Sequence, residues 1–130
     1  IRDYLTREFA SAASAAAKQR TQRKSKLIND VLRYLDEHYA EDVSLQKLAD
    51  RFFVNSSYLS RLFKEEVGEI FTKHLMQLRV DKARHLLQTT HMKVYEVSEA
   101  VGYVDVKYFN KIFKDLTGMT PADYRSLSNT

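Results

Sequence analysis

The chain has 130 residues, a formal net charge of +4 at pH 7 and a sequence pI near 9.3. It has no cysteine, which excludes disulfides, thiolate metal sites and a cysteine nucleophile and suits a reducing cytoplasm. Three Gly, one Pro and an abundance of Ala, Leu, Lys, Arg, Glu and Gln argue for helices and against a β-rich fold, while the basic balance favours a polyanionic partner.

The first residue is Ile rather than Met, so a fragment of a longer protein is expected. Residues 1–25 carry few large apolar residues after Phe9, and "ASAASAAA" has no apolar stripe to bury. They are read as an interdomain linker or the end of an upstream domain, either helical or unstructured. The run "KQRTQRKSK" has bases and no acid, and is open to phosphate contact or to plain solvation. Neither an apolar run of about 18 residues nor a signal-peptide layout occurs.

From Ser25 the periodicity strengthens. Leu27, Ile28, Val31, Leu32, Leu35 and Tyr39 predict an amphipathic helix ending near Glu41. Ser44 is placed to cap a short second helix that buries Leu45, Leu48, Ala49 and Phe52. A third helix starts near Asn55 to Ser57, buries Tyr58, Leu59, Leu62 and Phe63, and closes at Gly68, the expected left-handed residue.

A long helix follows over about 71–88, with Phe71, Leu75, Leu78, Ala83, Leu86 and Leu87 along one side. Lys73, Arg79, Lys82 and Arg84 lie among the rest and are available to phosphate. Val94, Val97, Ser98 and Val101 predict a short helix and Gly102 a turn. Asp105 then caps a helix that buries Tyr108, Phe109, Ile112, Phe113 and Leu116 and stops at Gly118. Thr120 caps the last helix, with Pro121 at its first position.

The second half repeats the first. Tyr58, Leu59, Arg61, Leu62, Phe63, Lys64 and Gly68 fall on Tyr108, Phe109, Lys111, Ile112, Phe113, Lys114 and Gly118. Upstream the register slips by one, pairing Leu45 with Val94, Ala49 with Ser98 and Phe52 with Val101, so the second copy has one more residue in its turn. Each copy is a short helix, a tight turn and a longer helix, the helix-turn-helix pattern, over about 44–68 and 93–118. Small residues at Ala49 and Ser98 let the second helix of each pair cross the first closely.

The stretches "VSLQKLADRF", "SSYLSRLFKEEVG", "LRVDKARHLLQTT" and "VYEVSEAVGYVDVKYFNKIFKDLTGMTPADYR" closely resemble the DNA-binding domain of the AraC/XylS family of bacterial transcription regulators. The resemblance spans 26–130 and implies an all-α, homeodomain-like fold of about seven helices, in which a long linker helix joins two helix-turn-helix subdomains. It further implies two recognition helices, about Ser56 to Glu66 and Asp105 to Leu116, in successive major grooves of double-stranded operator or promoter DNA. One departure stands out: Phe53 occupies the turn position held by Gly102 in the second copy. Phe disfavours positive φ, so a different geometry is expected in the first turn.

On the first recognition helix the buried pattern leaves Ser56, Ser57, Ser60, Arg61 and Lys64 to face DNA. The Arg61 guanidinium fork matches the N7 and O6 acceptors of guanine, with a phosphate contact or an ion pair to Glu65 as its alternatives. The second helix offers Asp105, Val106, Lys107, Asn110, Lys111 and Lys114. Its lysines suit phosphate, so this copy is expected to add affinity more than discrimination.

Most aromatics fall on core positions rather than on a stacking surface, and His38, His74, His85 and His91 lack paired-ligand spacing. His74 falls on Tyr124 in the repeat, which favours packing. No Gly-rich phosphate loop, GxSxG or clustered catalytic set occurs, so no enzyme, cofactor or metal is expected. The competing reading is an all-helical protein-interaction module docking an acidic partner. RNA polymerase is a further candidate partner, and a sensory signal and any membrane contact are expected from an upstream domain outside this stretch.

Overall fold

A computed structural model describes the backbone of residues 11–128 and the side chains of residues 25–128. The order is α1 (Ser11–His38), α2 (Leu45–Arg51), α3 (Ser56–Val67), α4 (Phe71–Thr89), α5 (Val94–Ala100), α6 (Val106–Thr117) and α7 (Pro121–Ser128), with no strand among the described residues. The Ala-rich stretch is therefore helical from Ser11 onward and runs unbroken into the amphipathic segment. The expectation for residues 1–10 lies outside the described residues, as do the side chains of the basic run up to Lys24.

Side-chain caps fix the starts of α2, α3, α6 and α7. Ser44 Oγ accepts the Lys47 N–H at 3.1 Å, and Asn55 Oδ1 accepts those of Ser57 and Tyr58 at 2.8 and 3.2 Å. Asp105 Oδ1 does the same for Lys107 and Tyr108 at 2.9 and 3.4 Å, and Thr120 Oγ1 for Asp123 at 3.1 Å. Each such cap contributes about 1 kcal/mol by satisfying an otherwise orphaned donor. Gly68 and Gly118 end α3 and α6 at φ 94° and 89°, the left-handed region that glycine enters without strain.

The first turn corrects the sequence-based expectation. Phe53 takes φ 58°, and Phe53 and Val54 donate to Asp50 O and Ala49 O at 3.3 and 2.9 Å. In the second turn Gly102 and Tyr103 donate to Glu99 O and Ser98 O at 3.1 and 2.9 Å, which is the same turn. These backbone bonds dictate the path whatever residue stands there, and the Phe53 ring is tolerated because it is 94% exposed. The added residue of the second copy is Val104, equally exposed, between that turn and the Asp105 cap. A left-handed non-glycine residue costs about 1–2 kcal/mol. Phe53→Gly should accordingly raise the unfolding free energy in urea by about 1 kcal/mol; a loss of stability would show instead that the ring makes a stabilising contact.

Two cores form. The first joins Ile28, Val31 and Leu35 of α1, Leu48 and Ala49 of α2, Leu59, Leu62 and Phe63 of α3, and Phe71 and Leu75 of α4. The second joins Val80, Ala83 and Leu87 of α4 with Val97, Val101, Tyr103, Phe109, Ile112 and Phe113. At about 100° per residue, the two α4 stripes lie roughly 130° apart around the helix axis. The single stripe expected for α4 is thus corrected: its first half faces one core, its second half faces the other, and fully buried Val80 belongs to the second. Leu78 and Leu86 are only partly buried for the same reason.

The repeat extends into packing. Phe63 meets the edge of His74 at 5.4 Å, and Phe113 meets Tyr124 at 5.6 Å. The first turns of α4 therefore do for the first unit what α7 does for the second. Ser98 sits buried at the α5–α6 crossing, and its Oγ donates to Tyr103 O at 2.7 Å. Tyr108 departs from its expected core position: it is 48% exposed and lays its ring edge against Tyr103 at 5.8 Å.

Candidate nucleic-acid interface

Burial of Leu59, Leu62 and Phe63 turns the opposite face of α3 to solvent. Ser57, Ser60, Arg61 and Lys64 are exposed there, and Ser56 is half-buried at the helix start. Among the described side chains Arg61 and Lys64 make no ion pair, and the Arg61–Glu65 pair that the spacing allows does not form. Their charge is therefore uncommitted.

An open groove of about 420 Å³ runs along this face, lined by Ser56, Ser57, Ser60, Arg61 and Lys64. Leu45 at the start of α2, expected from the sequence only as a core residue, and Ile70 before α4, not singled out there, complete its walls. The signal for Ile70 lies in the repeat: it occupies the position of the capping Thr120, yet its side chain makes no cap hydrogen bond and is half exposed.

On α6, Lys107, Lys111 and Lys114 are exposed, whereas Val106 and Asn110 are half-buried. The latter two border the stripe that carries Phe113 into the core, so the outward face is narrower than the sequence implied. Lys111 pairs with Asp115 at 3.1 Å; Lys107 and Lys114 have no ion pair among the described side chains. Asp105 is occupied as the helix cap, which sets the start of α6 rather than offering a free carboxylate.

The bases of α4 divide differently from the expectation that they meet phosphate. Arg79 donates to Tyr39 O and Glu41 O, Lys82 pairs with Asp36 at 3.3 Å, and Arg84 pairs with Asp81 at 3.3 Å. Lys73 remains exposed and without an ion pair among the described side chains. Arg125 donates to Leu87 O and Thr90 O at 3.2 Å, holding the end of α4 against α7.

Among the described residues no three His, Asp or Glu side chains gather to hold a metal, and no helix is long and apolar enough to cross a membrane. His38 lies 2.7 Å from Glu41 and stacks on Tyr34 at 4.2 Å, and His74 lies 3.2 Å from Glu69.

A helix-turn-helix domain model matches residues 48–126. The HTH-type transcriptional regulator YijO of Escherichia coli, itself uncharacterized, is 34% identical over 107 residues, covering 82% of this chain and 38% of its own length. The C-terminal domain of AraT, a response regulator from Geobacillus stearothermophilus, superposes with a TM-score of 0.76 at 33% identity, over 78% of this chain and 84% of that one. The DNA-binding domain of the global transcriptional factor AdpA, solved in complex with a target DNA, gives a TM-score of 0.74 at 27% identity, over 77% and 90% of the two chains.

Proposed function

The chain belongs to the AraC-type helix-turn-helix family of DNA-binding transcription regulators, and from this we propose that α3 and α6 are recognition helices entering successive major grooves on one face of double-stranded DNA. The observation that carries the reading is the paired arrangement itself. Two helix-turn-helix units turn a basic helix face outward, and a single helix, α4, contributes to both of their cores. The chain spans 38% of the length of the YijO relative, so the signal that governs binding, contact with RNA polymerase, and the operator or promoter regulated are assigned to the longer protein, acting in the cytoplasm.

In this reading Ser57, Ser60 and Arg61 read base edges near the start of α3, with Arg61 set for guanine. Lys64, Lys107, Lys111 and Lys114 anchor phosphate, Ser56 lines the groove at the first position of α3, Asp105 caps the start of α6, and Val106 and Asn110 supply a thymine-methyl contact and an adenine contact at the edge of α6.

Salt dependence tests the electrostatic part. If Lys64, Lys107, Lys111 and Lys114 each neutralise one phosphate, log affinity should fall against log salt with a slope of about −3.6. Fluorescence anisotropy across a potassium chloride series measures it. A flat response would favour a protein-interaction module over a DNA-binding one.

A further inference from the structure

Arg79 lies where three parts of the molecule meet. From α4 its Nε donates to Tyr39 O at 2.7 Å and its terminal nitrogen to Glu41 O at 2.9 Å, both just past the end of α1. Its guanidinium lies 5.1 Å from the centroid of Tyr103, in the turn of the second unit. Gly102 presses on the same point: a Cβ there would stand 3.0 Å from Ala40 O and from the Arg79 guanidinium. Tyr39 packs against both cores, and Lys82 reaches over its ring at 5.5 Å. Tyr103 is almost fully buried, and burial raises its phenol pKa while the neighbouring Arg79 guanidinium opposes that rise.

We propose that Arg79 is a positioning residue that locks the two helix-turn-helix units into one relative placement and thereby sets the separation of the two DNA patches the chain accepts. This rests on the two-groove reading above. The chemistry suits the task. A planar fork with several donors can hold two carbonyls of one segment while its face lies on a ring of another, which an ammonium cannot do. The contacts also join segments about forty residues apart, so they constrain the angle between the units beyond what α4 alone imposes. Without the fork, α4 still links the units, but the end of α1 meets the second unit only through the packing of Tyr39 and Ala40.

Two readouts test this, one without DNA. The chain has no cysteine, so cysteines introduced at exposed Glu66 on α3 and Glu99 on α5 give one spin-labelled pair spanning both units. The native chain should give a single narrow distance, and Arg79→Met, which keeps the stem and loses every donor, a broad one with the helical circular-dichroism signal retained. On duplexes whose two patches are moved apart by one base pair, the native chain should lose about tenfold in affinity and Arg79→Met less than about threefold, because a loosened pair of modules tolerates altered geometry. Affinity for a duplex carrying one patch should be the same for both. An equally narrow distance in Arg79→Met overturns the proposal. If Arg79→Met does not fold, Arg79→Lys decides by the same measurement, broadening supporting the lock and an unchanged distance refuting it. Should the distance broaden while the native chain shows no spacing preference at all, the lock stands and the two-groove reading fails.

Discussion

Phe63→Ala and Phe113→Ala should each lower the unfolding free energy by about 3–5 kcal/mol, measured by urea denaturation. Both rings are fully buried, and each is clamped by two aromatic neighbours. Phe63 has Phe71 at 5.8 Å and His74 at 5.4 Å, and Phe113 has Phe109 at 5.8 Å and Tyr124 at 5.6 Å. Removing the ring forfeits its transfer free energy and leaves a cavity between helices that are already capped and cannot collapse freely. Against a domain stability of about 5–15 kcal/mol, that is a large fraction. Arg61→Ala provides the contrast. An exposed side chain with no described ion pair should change stability by no more than about 0.5 kcal/mol while weakening DNA binding. If Arg61→Ala melted the domain instead, Arg61 would be structural and the outward face of α3 wrongly assigned.

Those predictions come from features legible in the sequence, because the forces behind them are local. A capping side chain acts within three residues, so Ser44, Asn55, Asp105 and Thr120 mark helix starts by type and spacing alone. Gly68 and Gly118 mark the ends because only glycine enters the left-handed region freely. The outward basic face of α3 followed by subtraction from its buried stripe.

What escaped the sequence is set by distant contacts. Periodicity describes one stripe per helix, yet α4 is shared between two cores on different sides, and this is why Val80 was missed and Leu78 and Leu86 were placed too deep. Arg79 reads as one more surface base because its carbonyl partners lie about forty residues away and carbonyls have no sequence signature. Phe53 misled in the opposite direction. Its side chain disfavours the turn, but the backbone bonds to Asp50 and Ala49, repeated by Gly102 and Tyr103 in the second copy, outweigh that preference. The same local backbone bonds impose the same turn on both residues.

Inserting about five base pairs between the two contact patches should collapse affinity to that of a single unit. Half a helical turn moves the second patch to the opposite face of the duplex, while two recognition helices on a common face require grooves about one turn, roughly 34 Å, apart. The chain has little means of following, since α4 is buried in both cores, its end is held by Arg125 and its middle by Arg79. Bending or twisting the DNA enough to restore both contacts would itself cost several kcal/mol, so one unit should simply release. Binding curves and footprints on the native and lengthened duplexes measure the effect, with one protected patch expected to remain. Substitutions at Ser57, Ser60 and Arg61 should then alter preference in one patch, and those at Val106, Lys107 and Lys111 in the other. Unchanged affinity after the insertion, together with silence of the second set, would mean that α3 reads DNA alone and that the second copy of the motif serves to support it.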